Sequence, residues 1–90
     1  MLKAEGYNLD KLIDRVSELT LLTRKEILDT ARNRKRTDAR SILCFWATDK
    51  LGVTQTELAR ILRLTQSAVS HAVGRGMVLV ENNSYSIYND

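Results

Sequence analysis

The chain has no proline in ninety residues, and its apolar side chains return at steps of three and four. Both features push the backbone toward helix. No position lacks an amide donor for a helical ladder, and a 3.6-residue period gathers the apolar residues on one face. Leu9, Leu12, Ile13, Val16 and Leu19 predict an amphipathic helix over 9–20. Thr23-Arg-Lys-Glu26 is a capping box, in which the Thr and Glu side chains satisfy each other's backbone amides. It opens a short helix with Ile27, Leu28 and Ala31 inward, so the lead-in helices cover 9–31. Residues 32–36 lack apolar periodicity and predict a basic loop. Thr37 is a good N-cap with Asp38 in the first turn. The long helix it starts, 38–51, buries Ile42, Leu43, Trp46 and Ala47, and Gly52 is free to end it in a left-handed conformation.

A second capping box, Thr54-Gln-Thr-Glu57, opens a helix with Leu58, Ala59, Ile61 and Leu62 inward. Arg63 and Leu64 make a tight turn, Thr65 caps the next helix, and Gly74 and Gly76 are expected to stop it. The last stretch, MVLVENNSYSIY (77–88), predicts a hairpin about Asn82-Asn83, with Tyr85 and Tyr88 packing on it. The expected fold is mainly α: a five-helix bundle with a short C-terminal β-hairpin, forming one domain over 1–90.

An apolar content of 43% suffices for one core. Cys44 is the only cysteine and His71 the only histidine, which leaves no internal disulfide and no zinc cage, so neither metal nor cofactor is expected. Cys44 is expected to be a buried small hydrophobe, since no histidine lies near it in sequence. No apolar run approaches the roughly 18 residues of a membrane span. The opening MLKAEGYNLDK lacks a signal peptide's apolar region, which favours a cytoplasmic location.

The net charge of +3 is unevenly placed. Residues 24–40 carry seven basic groups against three acidic ones, whereas 1–23 and 77–90 are each net negative. Concentrated positive charge attracts polyanions beyond what the net value suggests.

Beside that basic segment, residues 55–73 (QTELARILRLTQSAVSHAV) match a helix-turn-helix pattern, and the whole motif is expected over 55–75. Ala59 is the small residue that lets two helices approach. Leu58, Leu62, Leu64, Val69 and Ala72 fill the buried positions. Arg63 stands where such turns usually carry glycine. If Val69, Ala72 and Val73 face the core, steps of 100° put Gln66, Ser67, Ser70 and His71 on the opposite face of a recognition helix over 65–74. Amides, hydroxyls and imidazoles make directional hydrogen bonds to base edges in a major groove. A helix N-terminus favours a phosphate, with Gln55 or Thr65 to help hold it. Arg32, Arg34, Lys35 and Arg36 of the loop, with Arg40 and Arg75, are expected to supply attraction to the DNA backbone. A solvated surface would account for the same side chains without any ligand.

The stretch TDARSILCFWATDKLGVTQTELARILRLTQSAVSHAVGRG resembles the C-terminal DNA-binding domain of REP-associated tyrosine transposases and related bacterial insertion-sequence transposases. The preceding LDKLIDRVSELTLLTRKEILDTARNRKRT is similar to the lead-in of that family. More distantly, the layout is similar to the DNA-binding domain of the replication initiator DnaA, within the Trp-repressor-like superfamily. The resemblance implies a module that docks a transposase on its element or on a repetitive hairpin. It implies Arg34, Lys35, Arg36 and Arg40 at the backbone or minor groove, Gln55 on a phosphate, and Gln66, Ser67, Ser70 and His71 in the major groove. The His-hydrophobe-His metal site of the full enzymes is absent, so no catalysis is expected from this chain. It is expected to be either a fragment of a larger transposase with an upstream catalytic domain or a free-standing relative. The Asp-His-Thr-Thr segment of DnaA is also absent, with Gln-Ser-Ala-Val in its place.

Two other functions stay open. A small transcriptional regulator would need a dimer interface, yet the apolar stripe of the first helix is needed by the core, so a monomer is expected. A protein-interaction adaptor would expose an apolar patch and depend weakly on salt.

Overall fold

The computed structural model describes residues 8–29 and 33–87. Within them run α1 (Leu9–Thr20), α2 (Arg24–Leu28), α3 (Arg34–Lys50), α4 (Gln55–Leu62) and α5 (Gln66–Asn83). The fold is mainly α, and no strand occurs among the described residues. Ala31, Arg32 and Tyr88 lie outside them. No helix among the described residues is long and apolar enough to cross a membrane.

The central element is α3. Ala39 through Cys44, Trp46 and Ala47 are all buried, because α1 packs on one flank and α5 on another. A helix buried on nearly every side must satisfy its polar groups internally. Ser41 Oγ donates to the Thr37 carbonyl at 2.9 Å, and the Arg40 guanidinium donates to the Asp29 carbonyl and to Thr37 Oγ1. Cys44 is wholly enclosed, and burial pushes its thiol up to about 11, which keeps it protonated and unreactive. The helix ends at Gly52, left-handed with φ 70, while the Val53 amide reaches back to the Ala47 carbonyl at 3.0 Å.

The expected hairpin is not there. Residues 77–83 are helical, since α5 passes through Gly74 and Gly76 and stops only at Ser84. The reason lies on α3. A Cβ built on Gly76 would stand 2.0 Å from the Ser41 carbonyl oxygen and 2.8 Å from Phe45 Cβ. Gly76 is therefore the point where two helix backbones touch, not a stop signal. That packing offsets the roughly 1 kcal/mol that glycine costs inside a helix. Val69, Ala72, Val73, Gly76, Leu79 and Val80 form one unbroken helical stripe toward the core. Tertiary packing overrides the β-propensity of Met77-Val-Leu-Val80. Asn82 and Asn83, expected at a hairpin tip, lie in the last turn of α5, where Asn83 Nδ2 donates to the Leu79 carbonyl at 2.8 Å. The chain then folds back: Tyr85 is half-buried against the core, Ile87 is buried, and Arg15 Nε of α1 donates to the Ser86 carbonyl at 2.9 Å.

The basic loop is also corrected. Asn33 caps α3 by accepting from the amides of Lys35 (3.0 Å) and Arg36 (3.3 Å), so the helix starts before Thr37. Arg34, Lys35 and Arg36 form its first turn. Three cations there oppose the helix dipole. Arg36 relieves part of that conflict by pairing with Asp29 at 3.0 Å and Glu26 at 3.4 Å.

The lead-in helices follow the sequence more closely. Asn8 caps α1, and the Thr23–Glu26 capping box opens α2. The Thr23 amide and hydroxyl hold the Glu26 carboxyl below its usual range. Arg24 ties the two helices through Asp10 (2.6 Å) and Asp14 (2.7 Å). Leu28 and Ile61, expected in the core, are 38% and 41% exposed. α2 turns only Ile27 fully inward, and Ile61 lies off the Leu58, Ala59, Leu62 stripe of α4.

Candidate nucleic-acid interface

α4 begins at Thr54, whose hydroxyl accepts from the Glu57 amide at 3.1 Å. Leu58, Ala59 and Leu62 then bury its inner face. Arg63 turns the chain with φ 57, and the Leu64 amide bonds to the Ala59 carbonyl at 2.9 Å. Thr65 caps α5 by accepting from the Ala68 amide at 3.0 Å. Three residues thus join α4 to α5, and Val69 pins the start of α5 to the core with no exposed surface.

The outer side of that first stretch is open. Gln66, Ser67, Ser70 and His71 are all exposed. Gln66 Nε2 donates to Thr56 Oγ1 at 2.8 Å, which draws the first turns of α4 and α5 together. Free amides and the positive ends of two helix dipoles lie alongside one another there. Glu57 is the one acid in those two first turns. Gln55 is exposed at the first position of α4, and Thr65 is exposed with its hydroxyl oxygen accepting in the cap and its own proton left to donate.

The cations divide sharply. Arg40, expected on the DNA backbone, is 7% exposed and spent on Asp29 and Thr37, so it braces the α2–α3 connection. Arg36 is held by two acids. Arg75 Nε and Nη2 both donate to Asp38 Oδ1, at 3.0 and 2.6 Å, clamping α5 to α3. Arg32 lies outside the described residues. Arg34 and Lys35 are exposed and make no ion pair with a described residue.

Of the further exposed cations that make no ion pair with a described residue (Lys11, Lys25, Arg60 and Arg63), Arg60 and Arg63 lie on the α4–α5 unit and were not among the expected backbone contacts. Their signal was present in sequence: Arg60 falls off the buried stripe of α4, and Arg63 occupies the turn. No three His, Cys, Asp or Glu side chains among the described residues gather as metal ligands would.

Compared with known proteins, the chain matches no family model, no curated protein and no solved structure.

Proposed function

We propose that this chain is a DNA-binding module in which α4 and α5 form a helix-turn-helix and the first half of α5 enters the major groove. The observation that carries the reading is the exposed face of Ser67, Ser70 and His71, with exposed Gln66 at its edge, on a helix start whose opposite side is locked into the core. Such groups hydrogen-bond to base edges: a glutamine amide to adenine, a hydroxyl to either partner, an imidazole to guanine. Arg60 supplies sequence-independent attraction to phosphates close to that face. Arg34 and Lys35 do so at a distance, since Lys35 shares a recess with Leu79 and Asn83 toward the far end of α5. The resemblance of residues 39–76 to transposase DNA-binding domains supports a docking role in the cytoplasm, with catalysis supplied elsewhere. The exposed Met77 and Val78 favour a second reading, a protein-interaction adaptor.

Titration against a random-sequence duplex at about 50 and 200 mM salt separates the two. The DNA reading expects affinity to fall by about tenfold or more, as several phosphate contacts require. Binding absent at both salts, or indifferent to salt, overturns it in favour of the adaptor.

A further inference from the structure

Arg63 sits where an arginine is hardest to explain. Its φ of 57 and ψ of 44 are left-handed, a conformation that glycine adopts freely and residues with a Cβ adopt under strain. The turn needs that conformation, because it ends α4 and directs the chain into the Thr65 cap. Gly52 meets the same need between α3 and α4, with φ 70. Backbone geometry thus accounts for the conformation but not for the side chain. Leu21 and Ser84 end α1 and α5 in the same left-handed conformation, so the conformation belongs to the helix end. The role of the side chain at 63 must be read from its charge and surroundings.

The surroundings leave the charge of Arg63 uncompensated. With Leu28, Asp29 and Ile61 it borders an open recess of about 340 Å³ where the end of α2 meets the end of α4. Asp29 is the acid on that lining, and it is already engaged: its carboxylate accepts from Arg36 Nη1 at 3.0 Å and its carbonyl from Arg40. Arg63 makes no ion pair with a described residue. It lies three residues before Gln66, at the entry to the exposed polar row.

We infer that Arg63 binds a phosphodiester of the DNA backbone beside the bases that Gln66 and Ser67 meet, and so sets how deeply α5 enters the groove. The inference rests on the DNA reading above. A guanidinium suits the task, since its planar fork donates to two phosphate oxygens at once. The turn that joins the helices then also holds them on the duplex.

Three variants test this: Arg63→Gly, Arg63→Lys and Lys11→Gln, each titrated with random-sequence duplex across about 50–200 mM salt and melted without DNA. Arg63→Gly is expected to melt at or above the parent temperature, because the strain is relieved. It should nevertheless bind duplex about fivefold more weakly near 100 mM salt, with a salt slope lower by about one unit. Arg63→Lys should keep the parent slope, because the charge stays. Lys11→Gln, which removes an exposed and unpaired cation on α1 away from the proposed interface, controls for a general loss of positive charge. A drop equal to that of Arg63→Gly in both affinity and slope would overturn a specific role for position 63. Parental affinity and slope in Arg63→Gly would overturn the contact alone. A parent chain that binds no duplex at either salt would overturn the DNA reading and this contact with it.

Discussion

The two halves of α5 share one exposed face but not one chemistry. Ser67, Ser70, His71, Gly74, Met77, Val78 and Glu81 follow each other along it at helical steps, all exposed. Upstream of Gly74 the face is hydroxyl and imidazole; downstream it offers Met77 and Val78, nearly half exposed. The inner sides differ as well. Val69, Ala72 and Val73 pack by side chain, whereas Gly76 lets α5 rest directly on the α3 backbone at Ser41. The downstream half shows that this face tolerates apolar residues, so solvation alone does not require the polar row upstream. One half anchors and the other presents. A rigid anchor fixes the directions of side chains at 66–71, which base recognition requires.

Breaking the anchor should produce the largest effect. Gly76→Ala forces a Cβ into the Ser41 carbonyl, and the helices must part. The expected loss is about 3 kcal/mol of stability, measured by urea unfolding, through overpacking against backbone that cannot rotate away. Parental stability would mean that α5 does not cross α3 at this point.

Removing the presented groups should leave the fold intact. Gln66→Ala and His71→Ala are expected to keep the melting temperature and to cost about 1–3 kcal/mol on a duplex obtained by site selection, with much less lost on random duplex. Equal losses on both duplexes would remove the base-reading role from this half of the helix.

Gly74→Ala should give the smallest change, with the opposite sign to Gly76→Ala. A Cβ at Gly74 meets nothing within 4 Å, so the variant gains helix propensity without a clash. Stability should rise by about 1 kcal/mol. A loss would show that the boundary between the two halves needs glycine for a reason other than space.

The same pair of glycines marks how far the sequence could be read. The starts of α2, α4 and α5 were legible from Thr23, Thr54 and Thr65, although only one half of the box expected at Thr54 forms. Its hydroxyl accepts from the Glu57 amide, with no bond from the Thr54 amide back to the Glu57 carboxylate. The buried stripes of α1 and α4 were legible as well, apart from Ile61. Gly76 was misread because its role is set by Ser41 and Phe45, thirty-odd residues away in sequence, which no local pattern encodes. Asn33 and Thr37 both qualify as caps, and the side chain that reaches two amides wins. Of the candidate interface, the exposure of Ser67, Ser70 and His71 followed from helical geometry. Gln66, seven residues before Val73, lies instead beside the core stripe and is exposed at the first position of the helix. The fate of the cations did not follow from that geometry, because whether Arg36, Arg40 and Arg75 are free depends on acids and carbonyls supplied by other elements.

The most direct test of the central claim is an amide-resolved NMR titration of the chain with duplex DNA at low salt. The largest shifts should fall on Gln55 to Glu57 and on Arg63 to His71, with smaller ones at Arg34 and Lys35, while Met77 to Glu81 and α1 stay quiet. Shifts concentrated on Met77 to Glu81 or on α1, with 63–71 unmoved, would contradict the assignment of the first half of α5 as the DNA-reading surface.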